Sequence, residues 1–232
     1  MDADYTYEQI AGMIDHSLLG PALTDAELTA GCELAARYRV ATVCIKPYFV
    51  SRSVELLDGS GVKPTTTIGF PHGGHATAIK VAEAAQAMDD GALELDMVVN
   101  VGRVLSEDWG FVRSDIGAVA DAAHARGVLL KVIFENCFLH DTHKIRLCEI
   151  CGEVRADFVK TSTGYGEGGA TLHDLRLMRE NSPAHVQIKA AGGVRTLDGL
   201  LAVREVGVTR VGASRTADIL DECRQRLGIA SG

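Results

Sequence analysis

Eight short apolar runs, rich in β-branched residues, recur along the chain at nearly even intervals. They span 14–18, 40–45, 65–70, 92–99, 128–134, 156–162, 186–191 and 210–214, and successive starts lie 24 to 36 residues apart. Between them lie segments with helical spacing. Thr24-Asp25-Ala26-Glu27 has the capping-box pattern and opens an apolar-periodic stretch that reaches Tyr38. Helical patterns also cover 76–90, 108–126, 141–154, 171–181, 196–206 and 216–227. Strands that are apolar on both faces and alternate with helices read as parallel βα units. Eight such units in 232 residues predict a single (β/α)8 TIM barrel spanning 1–232. An open doubly wound sheet is the rival, but near-equal repeats without a large insertion favour closure.

Composition narrows the function. Hydrophobic residues make up 47% of the chain, enough for a sizeable core. A net charge of −8 argues against a general nucleic-acid binder, which needs a basic face to neutralise phosphates. The opening MDADYTYEQ lacks the apolar stretch of a signal peptide, and no run approaches the ~18 apolar residues of a membrane span. Six scattered cysteines are then expected to be reduced thiols of a cytoplasmic protein.

Only seven of the 23 basic residues are lysine, so the place of each lysine carries information. Lys131, Lys160 and Lys189 lie inside three consecutive apolar runs, 128–134, 156–162 and 186–191. Glu94 and Asp96 alternate with apolar residues in the run before them and share one face. If that face points into the barrel, lysines and carboxylates are enclosed together, as burial of either sign requires. A structural ion-pair network would explain one such lysine. Three on adjacent strands, two of them beside glycine-rich loops, point to catalysis, because perturbed titrating groups gather at functional sites.

Two neighbouring lysines suit amine nucleophilic catalysis. A free lysine titrates near ~10.4 and is protonated at neutral pH, whereas attack on a carbonyl needs the neutral amine. Burial and an adjacent ammonium both disfavour a lysine's charged form. A displacement of ~3 pH units corresponds to about 4 kcal/mol, within reach of the two effects together. A nearby carboxylate can then shuttle protons.

Glycine-rich loops follow the last two strands. Gly192-Gly193-Val194-Arg195-Thr196 opens one helix and Gly212-Ala213-Ser214-Arg215-Thr216 opens another. Glycine allows close backbone approach, and helix N-termini offer free N–H groups to an anion. Loops after strands seven and eight are the frequent phosphate site of this barrel.

With these motifs in place, the chain resembles the deoxyribose-phosphate aldolase family, class I aldolases of (β/α)8 fold. The resemblance covers nearly the whole chain. It rests on Ile14-Asp15-His16-Ser17-Leu18-Leu19, Val43-Cys44-Ile45-Lys46-Pro47, Ile68-Gly69-Phe70-Pro71-His72-Gly73, Glu94-Leu95-Asp96-Met97-Val98 and Leu130-Lys131-Val132-Ile133. The most specific blocks are Phe158-Val159-Lys160-Thr161-Ser162-Thr163-Gly164 and Lys189-Ala190-Ala191-Gly192-Gly193-Val194-Arg195-Thr196. The resemblance implies Lys160 as Schiff-base nucleophile, Lys189 as the second lysine that keeps that amine neutral and relays protons, and Asp96 as acid/base partner through a water. Lys131 and Asp15 would support them. Gly164, Gly192, Gly193, Gly212, Ser214 and Arg215 would hold a substrate phosphate. The implied reaction is reversible cleavage of 2-deoxyribose 5-phosphate to acetaldehyde and glyceraldehyde 3-phosphate. No metal or other cofactor is implied, and a homodimer is expected.

The chain departs from the family pattern at several positions. It has Gly20 where many relatives have lysine, Lys46 where asparagine is common, and Arg215 and Thr216 where serine or glycine is usual. An arginine at 215 could tighten a phosphate contact or reshape the pocket. The printed sequence ends in Ala230-Ser231-Gly232, without the C-terminal tyrosine proposed to assist proton transfer in some relatives.

Other signals carry less. Gly164-Tyr165-Gly166-Glu167-Gly168-Gly169 matches a dinucleotide fingerprint, but the next strand bears Lys189 where that fingerprint needs an acid. A flexible loop beside Lys160 is expected instead. His140, His143, Cys148 and Cys151 have zinc-ligand chemistry, yet one amphipathic helix cannot easily set all four tetrahedrally. His72 and His75 are expected in a loop or facing substrate, Cys44 and Cys137 as small buried hydrophobes, and Trp109 in packing. The remaining alternatives are a related acceptor specificity, a metal-dependent aldolase or isomerase on the same fold, and a non-catalytic phosphosugar-binding barrel.

Overall fold

The structure is a computed structural model and describes residues 4–229. Ala230, Ser231 and Gly232 lie outside the described residues. Eight parallel strands form a closed barrel: β1 (Ile14–Leu18), β2 (Thr42–Ile45), β3 (Lys63–Ile68), β4 (Glu94–Val98), β5 (Leu129–Ile133), β6 (Phe158–Lys160), β7 (Gln187–Ala191) and β8 (Arg210–Ala213). Closure comes from β1 pairing with β8 through Ile14↔Val211, Asp15↔Gly212 and His16↔Ala213. This is the expected topology, and all eight runs are strands.

The helices are α1 (Tyr7–Ala11), α2 (Asp25–Tyr38), α3 (Val50–Leu56), α4 (Thr77–Asp89), α5 (Val101–Leu105), α6 (Trp109–His124), α7 (Asp141–Glu153), α8 (Leu172–Asn181), α9 (Leu197–Glu205) and α10 (Thr216–Leu227). Their starts are written in the sequence. The Thr24 hydroxyl accepts from Glu27 N while Thr24 N donates to the Glu27 carboxylate at 2.8 Å, which satisfies two of the free donors at the start of α2. Asp108, Thr171 and Thr196 cap α6, α8 and α9 in the simpler one-bond form. Helices α1, α3 and α5 were not foreseen. They have only five, seven and five residues, too short for apolar periodicity to separate them from loop.

The apolar core lies between barrel and helices. Leu95, Met97, Leu130, Val132, Val159, Ile188 and Ala190 face outward into it. Because side chains alternate along a strand, their neighbours Glu94, Asp96, Lys131, Lys160 and Lys189 face the interior, where they are also buried. The loop after β3 approaches β4 closely. Gly73 has φ +67°, and a Cβ there would sit 1.8 Å from the Val99 carbonyl oxygen, so only glycine fits.

Five of the seven lysines are buried. Lys80, on α4, donates to Asp115 Oδ2 on α6 at 2.6 Å and to the Val98 carbonyl at 2.9 Å. Lys144, on α7, donates to Asp174 Oδ1 on α8 at 2.6 Å. For these two the structural ion-pair reading suffices. Among the described residues, no helix is long and apolar enough to cross a membrane.

Candidate active site

The strand register brings the charged residues to one level. Asp96 is level with Lys131, and Lys160 with Lys189. Asp96 is the hub. Its Oδ1 accepts from Lys131 Nζ at 2.7 Å, and its Oδ2 accepts from both Lys160 Nζ at 2.7 Å and Lys189 Nζ at 2.6 Å. Lys189 also donates to Asp15 Oδ2, across from β7 to β1. Lys131 makes a second pair with Glu94 Oε2 at 2.7 Å, and Glu94 accepts in turn from the Arg210 guanidinium at 2.8 and 3.3 Å. The sequence reading identified every member except Arg210, whose partner lies 116 residues away in the chain.

Three carboxylates therefore face four cations. Lys131 and Lys189 each contact two carboxylates, and Arg210 holds Glu94 with two bonds. Lys160 has a single contact, to an oxygen it shares with Lys189. The cation in surplus is thus the one with least support. Without Lys160 the count is three against three.

Burial alone would raise the Asp96 pKa, but Lys131, Lys160 and Lys189 outweigh it and hold the carboxyl well below the usual range. Asp15 is lowered against its own burial, mainly by Lys189, and Glu94 likewise by Lys131 and Arg210. For Lys189 burial works to lower the pKa, and Asp15 and Asp96 reverse it, so this ammonium titrates above the ordinary lysine range. Lys189 stays cationic and Asp96 anionic in the free protein.

These shifts predict the pH profile of stability. Depressed carboxylates bind fewer protons folded than unfolded, so their contribution is complete above their unfolded values of about 4 and is lost as pH falls through the folded ones. The raised Lys189 contributes fully below its unfolded value of about 10.4 and loses that contribution as pH rises further. This network should therefore give thermal melts an acid limb below about pH 4 and an alkaline limb above about pH 10, added to the loss that buried His16 brings below about pH 6.5. A melting temperature that stays flat from about pH 5 to about pH 2 would contradict this network.

A cavity of about 240 Å3 opens above the network and is lined by Asp15, Lys160, Lys189, Gly164, Gly192, Gly193, Arg195, Gly212 and Ser214, among others. Gly192 and Gly193 have φ of +79° and +93°, and a Cβ on Gly192 would come within 2.9 Å of Gly169 Cα. Gly192 thus lets the loop before α9 meet the loop before α8, and the loops that open α9 and α10, whose N-termini favour an anion, both line the cavity. All the expected phosphate residues line this cavity except Arg215. Its side chain is exposed and pairs with Asp218 one turn into α10. Arg195 lines the cavity instead. Thr216 is also outside the cavity: it is buried and bonded to His16 Nδ1 at 2.8 Å, an imidazole whose pKa burial lowers. Two departures from the family pattern meet each other, as Lys46 Nζ donates to the Gly20 carbonyl at 3.0 Å.

Residues set aside on sequence grounds fall elsewhere. In the loop after β6, Thr163 N and Oγ1 donate to the buried Glu135 carboxylate, and Tyr165 Oη donates to the Leu19 carbonyl at 2.7 Å. The sequence reading foresaw neither of these contacts. Cys148 and Cys151 are buried on α7, where burial raises both thiols, Cys148 to about 11, which opposes metal-binding thiolates. Among the described residues, the His, Cys, Asp and Glu groups close enough to share a metal are Asp15–Cys44–Asp96 and Asp141–His173–Asp174. Lysine ammonium groups already pair with the carboxylates of both. Burial raises the Cys44 thiol to about 12, and Cys137 proves exposed rather than buried. His72 and His75 are exposed in the loop after β3, and the Trp109 ring centroid lies 6.2 Å from that of His143.

A site of this make-up suits carbonyl chemistry through an amine, the chemistry of barrel aldolases. A family model described as DeoC/LacD family aldolase matches residues 9–231, and the chain belongs to that family. It is 60% identical to a deoxyribose-phosphate aldolase of Rhodopirellula baltica, over 98% of this chain and 94% of that protein. It is 44% identical to the one from Caldanaerobacter subterraneus, over 94% of each. Among solved structures, an Aeropyrum pernix deoxyribose phosphate aldolase described as having a unique tetrameric structure superimposes with a TM-score of 0.88. That match is at 26% identity and covers 95% of this chain and 93% of that one.

Proposed function

We propose that this aldolase reversibly cleaves 2-deoxy-D-ribose 5-phosphate to acetaldehyde and D-glyceraldehyde 3-phosphate, with Lys160 as the Schiff-base nucleophile. The observation that carries the reading is the single Asp96 oxygen shared by Lys160 and Lys189 at the floor of the cavity. The neutral Lys160 amine adds to the aldehyde carbon of the open-chain sugar, and loss of water from the carbinolamine leaves an iminium. The iminium draws electrons from the C–C bond beyond it. That bond breaks as the 3-hydroxyl gives up its proton, which leaves glyceraldehyde 3-phosphate and a two-carbon enamine on Lys160. Protonation and hydrolysis release acetaldehyde and return the amine.

Lys189, held cationic by Asp15 and Asp96, is the proton donor closest to that amine. Asp96 is the acceptor, because neutralising Lys160 removes one of the three cations that suppress its basicity. Asp15, which lines the cavity, keeps its buried Oδ1 without a hydrogen-bond partner. The glycine loops and Arg195 would hold the phosphate. Six free cysteines accord with a cytoplasmic setting. We also infer that the chain self-associates, with a homodimer as the smallest assembly.

Borohydride reduction in the presence of acetaldehyde, followed by peptide mapping, should place a stable adduct on Lys160, with activity insensitive to chelator. An adduct elsewhere, or activity lost with chelator, would overturn the mechanism. Arg195→Ala should raise KM for deoxyribose 5-phosphate about tenfold, the worth of one charge-assisted phosphate contact. Cleavage of unphosphorylated 2-deoxyribose should fall much less; equal losses on both substrates would remove Arg195 from the phosphate site.

A further inference from the structure

A second cavity, of about 310 Å3, opens at the same barrel mouth on the side of β1 to β3. Its walls are mostly apolar and include Leu19, Pro47, Phe70 and Tyr165. At its base lies Thr67, the β3 partner of Asp96 in the strand register. Leu19 lines both this cavity and the catalytic one. Tyr165, half exposed, lines the second cavity; its hydroxyl donates to the Leu19 carbonyl and its ring stands edge-on to Phe70, with centroids 5.4 Å apart. The Tyr165 ring is thus fixed at both its polar and its apolar end, although it sits on a glycine-rich loop.

We propose that Tyr165 is the specificity-determining residue that limits the donor aldehyde to two carbons, and that the cavity behind it fits the aliphatic tail of a longer donor. The proposal rests on Lys160 as nucleophile. A donor R–CH2–CHO would condense with the Lys160 amine and release water. Loss of a proton from its α-carbon would give the enamine, and that carbon would bond to the acceptor aldehyde. R remains on the α-carbon throughout. The acceptor and its phosphate fill the glycine-loop side of the catalytic cavity, so R must leave past Leu19, where the Tyr165–Leu19 link now stands. Lys46 and Glu83 also line the second cavity, but Lys46 Nζ donates to the Gly20 and Pro21 carbonyls and Glu83 accepts from Gly69 N, so the rest of the wall is apolar and suits an unsubstituted alkyl chain.

The test compares butanal with acetaldehyde as donor toward glyceraldehyde 3-phosphate in wild type, Tyr165→Phe and Tyr165→Ala. The readout is the ratio of the two kcat/KM values, which a general loss of stability would not shift. Tyr165→Ala should raise the butanal-to-acetaldehyde ratio by about tenfold or more, the scale set by a methylene or two in an apolar pocket. Tyr165→Phe keeps the ring and loses the bond to Leu19, and should raise it about threefold. Borohydride trapping of acetaldehyde on Lys160 in each variant reports an assembled site. Trapping with an unchanged ratio would overturn the gate while leaving the aldolase reading intact. Wild type that does not trap on Lys160 would overturn both. If only the alanine variant fails to trap, the phenylalanine variant decides, and an unchanged ratio there refutes the proposal.

Discussion

Lys160→Arg should lower kcat/KM for deoxyribose 5-phosphate by about 10⁴-fold or more, the order lost when a covalent nucleophile is removed, with the fold retained. Arginine can still donate to Asp96 as Lys160 does, but it does not deprotonate in proteins and cannot form the imine. Wild-type-like turnover in this variant would refute the nucleophile. The charge count adds a second, opposite expectation. Lys160 is the cation with the fewest carboxylate contacts, so Lys160→Met should leave the melting temperature unchanged or raise it. Lys189→Met should lower it, because Asp15 would then lie buried without its cation. A nucleophile kept at some expense of stability is a common trade at active sites. If Lys160→Met proves the more damaging of the two to the fold, the surplus-charge argument fails.

Asp96→Asn should be the most damaging single change to the barrel interior. The amide preserves shape but removes the charge that faces Lys131, Lys160 and Lys189. Breaking a buried ion network from one side costs about 3–5 kcal/mol, because the partners stay buried and uncompensated. Denaturant titration should show that loss as a lower midpoint with an unchanged slope. Turnover should fall by about 10²–10⁴-fold, as expected when a proton-transfer group is lost. The two effects separate in the double variant with Lys131→Met. Removing one stranded cation should restore part of the stability and none of the activity. Recovery of both would mean that Asp96 acts only in folding.

Strand positions were legible because each strand is a short apolar run, buried on both faces, and such runs stand out against helical spacing. Their ends were not. The 156–162 run contains only three strand residues, Phe158–Lys160, while Thr161 and Ser162 beyond its end are also buried and read as strand by composition. At the site, lysines within apolar runs identified the network because a charge at that position is costly unless used. Arg210 escaped notice because it stands at a strand's first residue, where charge is ordinary. Arg195 and Arg215 each lie on a glycine loop just before a helix, so sequence could not tell which one faces the cavity. Asp218 decides it by drawing Arg215 along α10. Tyr165 lay inside a motif dismissed for nucleotide binding, and its role depends on a contact with Leu19 that spans 146 residues of chain.

The bond between Lys189 and Asp15 has a meaning for how the molecule assembles. Asp15 belongs to β1 and Lys189 to β7, and they meet only once β1 has docked on β8. A chain in which β2 to β8 have formed an open sheet holds Lys160, Lys189 and Asp96 but lacks the carboxylate that completes the charge balance. The charge balance of the interior is therefore complete only in the closed ring. Activity in a refolding experiment would report the completed ring, and a fragment without β1 would gain secondary structure without gaining turnover.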